Sequence, residues 1–249
     1  MSLDGKTFLV TGAGSGIGRA VARRLLDSGA RVTLVGRRQD PLKETAGLYT
    51  DAYVLAQPAD ISRPAEAEDA VRTALDRFGS LDGLVNNAGL ARFGPLAEAD
   101  PHDLDAMLGV NLLGPAHLIR AALPALRAGS GSVVNVTSVG GALAMPNRAM
   151  YGASKAALNS LTRSLARELA PLVRVNAVLP GPVDTPMYDD LGLAPEKVEN
   201  LRKDMVESTP LGRFGKPEEI AAWVCHLLDP EVSAWVTGAL IPVDGGRTS

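Results

Sequence analysis

Tyr151 and Lys155 stand four positions apart in the run Tyr151-Gly-Ala-Ser-Lys155. That spacing is about one helical turn, so both side chains can face one cavity. A free phenol ionises near pH 10, too high for a base at neutral pH, but a nearby ammonium favours the phenolate. Such a pair can move a proton to or from an oxygen on a bound molecule. Ser138 lies thirteen residues earlier, at the C-terminal end of the apolar run 132–136. Its hydroxyl can hydrogen-bond the same oxygen and stabilise charge developing on it.

A second group of residues suits a phosphate. The first apolar run passes directly into Thr11-Gly-Ala-Gly-Ser-Gly-Ile-Gly-Arg19 and then into a helical pattern. Small residues let the backbone approach a pyrophosphate, and a helix N-terminus offers free N–H groups. The pattern is Gly12-x-x-x-Gly16-x-Gly18, with Ser15 and Ile17 between the glycines, so the strict G-x-G-x-x-G fingerprint is not met. The next strand ends Leu34-Val35-Gly36-Arg37-Arg38, with no carboxylate to bond adenosine ribose hydroxyls. Glycine leaves room there, and Arg37 and Arg38 can grip a 2′-phosphate in a bidentate fork. NADP(H) is therefore the expected cofactor, with NAD(H) the second choice.

The elements that must hold these residues alternate from end to end. Runs 7–10, 31–35, 52–56, 81–85, 132–136, 173–178 and 239–243 read as strands, rich in Val and Leu on both faces. Helical spacing predicts helices over 17–28, 65–78, 103–127 and 151–169, with a further pattern at 196–207. Repeated strand-helix-strand order predicts an α/β chain: a single-domain Rossmann fold, a doubly wound seven-stranded parallel sheet with helices on both faces. Residues 1–249 are expected to form one dinucleotide-binding and catalytic domain. The stretch from Pro180 to Pro217 is rich in proline and glycine. Within it, about 183–215 is expected to act as a substrate loop or lid.

Bulk features narrow the partners. The formal net charge is −3 and no basic cluster is interleaved with aromatics, so neither nucleic acid nor a membrane surface is expected. Cys225 is the only cysteine and sits in a helical apolar run, where a buried, inert thiol is expected. His102, His117 and His226 lack metal-ligand spacing, and no metal is expected. The N-terminus has no signal-peptide pattern and no run approaches the roughly 18 apolar residues of a span, so a cytoplasmic location is expected.

Together with Asp60, Asn86-Asn-Ala-Gly89, Asn111, Pro180-Gly181 with Thr185, and the closing Val236-Thr-Gly to Val243-Asp-Gly-Gly246, these motifs span nearly the whole chain. In this order the chain resembles the short-chain dehydrogenase/reductase family, in its compact, 3-oxoacyl-reductase-like form. The resemblance implies an oxidoreductase moving a hydride between NADP(H) and a carbonyl or secondary alcohol, with Asn111, Ser138, Tyr151 and Lys155 as catalytic tetrad. It implies that Lys155 also holds the nicotinamide ribose and that Asn111 positions a water passing protons to Lys155. The positive nicotinamide ring would join the ammonium in lowering the phenol by about three units, which takes roughly 4 kcal/mol. Asp60 with Ile61 would lie at the adenine, Asn87 with Ala88 and Gly89 along the cofactor, and Pro180, Gly181, Val183 and Thr185 at the carboxamide end. Homotetramers or homodimers are implied, and the small residues Ala153, Ala156, Ala157, Ser160 and Ser164 on one helix agree with a close helix–helix interface.

Two departures stand out. The approach to the sixth strand looks short, and Ser15 occupies a place where some NADP-preferring members carry a basic residue. Three other readings compete: an NAD-linked alcohol dehydrogenase of the same family, a non-catalytic dinucleotide-binding sensor, and an isomerase or dehydratase of the longer related enzymes. Leu143, Ala144, Met145, Met187 and Leu191 predict a fairly apolar substrate pocket.

Overall fold

In the computed structural model, which describes residues 3–47 and 49–249, the Val- and Leu-rich runs pair side by side into one parallel sheet. Its strands are β1 (Thr7–Thr11), β2 (Arg31–Gly36), β3 (Val54–Pro58), β4 (Gly83–Asn86), β5 (Ser132–Val136), β6 (Arg174–Pro180) and β7 (Leu240–Val243). The order across the sheet is β3-β2-β1-β4-β5-β6-β7, so strand order reverses beside β1, between β1 and β4. Crevices at such switch points, outside the strands' carboxyl ends, are where α/β sheets bind ligands.

Around the sheet lie α1 (Gly16–Asp27), α2 (Gln39–Ala46), α3 (Pro64–Phe78), α4 (Pro101–Leu108), α5 (Gly114–Ala128), α6 (Ala149–Leu169), α7 (Pro195–Glu207), α8 (Pro217–Leu228) and α9 (Pro230–Ser233). Side-chain alternation along the strands divides the core into two layers. Phe8, Val10, Val32, Leu34 and Val134 face α1 and α8 through Val21, Leu25, Ile220 and Val224. Leu9, Val35, Leu84, Val133 and Val175 face the other way, onto α3, α5 and α6 through Val71, Leu118, Leu126 and Leu169. Each such large side chain, once fully buried, contributes about 1.5–3 kcal/mol.

Two strands begin two residues later than their apolar runs suggest. Tyr53 closes a turn back onto the carbonyl of Thr50 before β3 starts. Ahead of β4, the Asp82 carboxylate accepts from the backbone N–H of Thr7 (2.9 Å) and from Lys6 Nζ (3.0 Å), adding to the backbone bond from Asp82 N to the Thr7 carbonyl (2.8 Å). The helix expected over 103–127 is broken by a π-turn at Gly109–Leu113. Run together, Pro101–Ala128 is long and apolar enough to cross a bilayer by length and composition, its most apolar 18-residue window having a mean hydropathy of 1.3. Its buried Leu118, Ile119, Ala122 and Leu126 pack in the core layer of α3 and α6.

Candidate active site

The turn after β1 closes only because of what its glycines lack. Gly12 has φ 63°, and a Cβ there would lie 2.8 Å from Asn87 Nδ2. A Cβ on Gly18 would come within 2.2 Å of the Gly12 carbonyl oxygen, so α1 can rest on this turn only with glycine. Thr11 joins the turn to β4: its Oγ1 accepts from Asn87 N (2.9 Å) and Ala88 N (3.0 Å) and donates to the Val85 carbonyl (3.3 Å). Asn87 Nδ2 donates in turn to the Thr11 carbonyl (2.9 Å). Ser15 caps α1 in extended conformation without a side-chain bond, and no acidic residue sits in the first turn. The first N–H groups of α1 and its positive dipole end therefore face outward, a fit for a pyrophosphate.

Cavities open on either side of this turn. One, of about 160 Å³, lies at the ends of β1, β2 and β3 and is bordered by Gly12, Ser15, Gly36, Arg37, Arg38, Asp60, Ile61, Ala88 and Gly89. Arg37 and Arg38 are exposed, and neither side chain has a hydrogen bond or ion pair with a described residue. Arg19, by contrast, is held by Glu44 (2.8 Å) and the Gly14 carbonyl (3.1 Å). Asp60 is fixed by accepting from both the N–H (3.0 Å) and the hydroxyl (2.7 Å) of Ser62.

The other cavity, of about 110 Å³, gathers Ile17, Asn87, Ser138, Tyr151, Lys155, Pro180, Gly181, Val183 and Thr185. Gly16 backs onto it, since a Cβ there would meet Thr185 Cγ2 at 2.9 Å. A dinucleotide laid over the α1 N-terminus would reach both cavities, and the residues expected to hold it are divided between them accordingly.

Ser138 opens a 3-10 turn at Val139–Gly141 and accepts from Gly140 N at 3.0 Å. Its own hydroxyl proton is then free for an oxygen in the cavity, and the hydroxyl's nearness to Tyr151 draws the phenol pKa down. Burial acts in the opposite direction and prevails, holding Tyr151 above the ordinary phenol value; the charge of Arg148 is a lesser downward pull. Lys155 is buried, donates to the Val136 carbonyl (3.1 Å) and holds Nζ 5.9 Å from the Tyr151 ring centre. Burial pushes its ammonium down to about 8. Arg148 is thus a second cation near the phenol, beside Lys155 over its ring.

Asn111 sits in the π-turn, fully buried. Its amide takes both backbone groups of Leu90 (2.8 and 2.9 Å) and donates to Ser154 Oγ (3.0 Å). A Cβ on Gly89 would lie 3.6 Å from both Asn111 Oδ1 and Lys155 Nζ, so both side chains border that glycine.

The substrate side is mainly apolar, as expected, but not through all the residues expected. Met145, Met187 and Leu191 line the cavity, but Leu143 and Ala144 are exposed outside it. Phe93, Arg148 and Arg247 join the lining. Neither Phe93 nor Arg247 belongs to a periodic pattern near the motifs, and only folding carries them there. Cys225 is fully buried between α1 and the sheet, with its thiol pushed up to about 12, as a structural residue should be.

Residues 12–248 match the family model described as Enoyl-(Acyl carrier protein) reductase. The 3-oxoacyl-[acyl-carrier-protein] reductase of Thermotoga maritima is 39% identical, over 99% of each chain. A 2-(S)-hydroxypropyl-CoM dehydrogenase of Xanthobacter autotrophicus is 37% identical, over 99% of this chain and 98% of the relative. The crystal structure of a 3-ketoacyl-(acyl-carrier-protein) reductase from Brucella melitensis, complexed with NADH, superposes with a TM-score of 0.92 at 36% identity and full coverage of both chains. With likeness of this kind running from the first glycine turn to the last strand, the chain belongs to the short-chain dehydrogenase/reductase family, is of its 3-oxoacyl-reductase-like kind, and is an oxidoreductase acting on a CH–OH/C=O couple.

Proposed function

We propose that this chain transfers a hydride between NADP(H) and a carbonyl or secondary alcohol, with Tyr151 as the acid/base. The observation that carries the proton chemistry is that Ser138, Tyr151 and Lys155 line one cavity, with the Tyr151 phenol and the Lys155 ammonium both buried. When bound, nicotinamide supplies or accepts the hydride; the other tasks fall to the chain. Ser138 donates to the substrate oxygen and stabilises its developing negative charge. Tyr151, kept neutral by burial, gives its proton to that oxygen in reduction and takes it back in oxidation. Lys155 binds the nicotinamide ribose and, with Asn111 and a water, returns the proton from solvent.

NADP(H) over NAD(H) rests on the guanidiniums at the end of β2. Arg37 and Arg38 border the cavity at that end with no carboxylate bound to them among the described residues. A 2′-phosphate would supply that missing anion. The runner-up is an NAD-linked dehydrogenase of the same family, favoured by the exposure of both arginines and by the NADH named with the Brucella relative. Titration of NADPH and NADH into the wild type and Arg37→Ala separates the two. A charged hydrogen bond of about 1.5–3 kcal/mol implies that the variant loses roughly 10- to 100-fold in NADPH affinity while NADH is little affected. Equal or tighter NADH binding by the wild type establishes the runner-up, and binding of neither removes the oxidoreductase reading.

A further inference from the structure

The wall of the Tyr151 cavity is mostly thioether, aromatic and aliphatic, yet two guanidiniums open on it. Arg148 precedes α6 as its N-cap, three residues before Tyr151. Arg247 arrives from the other end of the chain, beyond β7, against the C-terminal end of α7. Both are half-buried.

Their lack of acid partners sets them apart from neighbouring arginines. Arg92 pairs with Asp103 and Asp190, Arg202 with Asp184, and Arg213 with Glu219. Arg148 forms no side-chain hydrogen bond or ion pair with any described residue; it lies 5.5 Å over the Phe93 ring, which stands edge-on to Tyr151 at 5.6 Å. Arg247 uses Nη1 alone, on the Met205 carbonyl (3.2 Å), Ser208 Oγ (2.6 Å) and Thr209 Oγ1 (3.4 Å). Its Nε and Nη2 donors have no acceptor among the described residues. A strap on α7 needs no more than Nη1, and a ring contact needs no second cation nearby.

Two like charges on an apolar, partly desolvated wall oppose each other. Burial and the charge of Arg247 both hold the Arg148 guanidinium below its ordinary value. An anion between them removes that opposition and fills the unused donors in the bidentate geometry guanidinium favours.

We propose that Arg148 and Arg247 form an anion subsite, and that the substrate is a short oxo acid or hydroxy acid. Its carbonyl or carbinol oxygen lies at Ser138 and Tyr151, and its carboxylate lies at the two arginines. A cavity of about 110 Å³ that the nicotinamide end also enters suits a short molecule rather than a long acyl chain lying wholly inside. This inference rests on the oxidoreductase reading above and names its substrate class.

The test compares short oxo acids, such as 4-oxopentanoate, with their methyl esters, in wild type, Arg148→Gln, Arg148→Lys and Arg247→Gln. The quantity read is the acid-to-ester ratio of kcat/KM within each protein, which a general loss of folding or catalysis leaves unchanged. The wild type should favour the acid about tenfold or more. Both glutamine variants should bring the ratio towards one, and Arg148→Lys should retain part of it. In parallel, acid and ester are titrated calorimetrically into the enzyme loaded with reduced cofactor, so that binding is read even where turnover is slow. The proposal is overturned if the ester is bound and turned over as well as the acid, if the ratio survives both glutamine variants, or if loaded enzyme binds neither compound. Failure to bind any nicotinamide dinucleotide counts instead against the oxidoreductase reading and takes this one with it.

Discussion

Lys155 is buried without an acidic partner among the described residues, its Nζ held by one carbonyl oxygen. Folding therefore opposes its charge, and the ammonium titrates at about 8 instead of 10.5. A shift of this size corresponds to roughly 3 kcal/mol taken from stability at neutral pH. Because the folded value lies below the unfolded one, the unfolded chain binds the extra proton between about pH 8 and 10.5. This residue's contribution to stability therefore rises with pH across that window. Lys155→Met should raise the denaturation midpoint at pH 7 while abolishing turnover. The gap between variant and wild type should narrow from pH 8 to 10.5. A variant less stable than wild type at pH 7 would mean that the Val136 hydrogen bond outweighs burial. Arg148 and Tyr151 show the same tension: burial opposes the charged form of each, as it commonly does at functional sites.

At the scale of elements, the site is a set of strand ends. β1 and β4 are sewn together through Thr11 and Asn87, β5 delivers Ser138, and α6 sets Tyr151 and Lys155 one turn apart. The segment after β6 behaves differently. Leu191 and Met205 are its buried anchors around the cavity, and the Leu191 carbonyl accepts from Phe93 N at 3.0 Å. Within α7 only Met205 is buried, so little apolar area holds that helix down. We propose that residues 186–207 open to admit substrate and close over it. Their amides should exchange about tenfold more slowly in the ternary complex than in the free enzyme, while β1 and β5 stay unchanged. Equal protection in both states would make the segment a fixed wall.

For the whole molecule, the exposed face of α6 matters most. Its buried side carries Tyr151, Lys155, Leu158, Thr162 and Leu169, whereas Ala153, Ala156, Ser160 and Ser164 form an exposed stripe of small residues. Such a stripe lets two helices approach closely, so we propose that copies of the chain pair through it, in a homotetramer or homodimer. The protein should elute at a multiple of 25.9 kDa at micromolar concentration, and Ala156→Arg should shift it to a smaller species. Elution of the wild type at monomer mass would overturn this. The same helix carries the site on its other face, so the variant's loss of activity at low concentration would report how far assembly supports α6.

The local signals in the chain were sufficient for much of this. Short runs apolar on both faces and helical spacing, with turn glycines such as Gly12, determined the alternating elements. Spacing made the Tyr151–Lys155 pair and the Gly12–Gly18 turn legible, because each lies within a few residues; that the two belong to one site was implied only by the family resemblance. Tertiary structure alone decided what depends on distant segments meeting. The strand order placing β1 beside β4, the π-turn that turns Asn111 onto Leu90, and the entry of Phe93 and Arg247 into the cavity all belong here. Charge was the least legible property. Nothing in the chain marks the charge of Lys155 or Arg148 as unusual; burial, which sums over every element packed around them, lowers both pKa values, and Arg247 lowers that of Arg148 further.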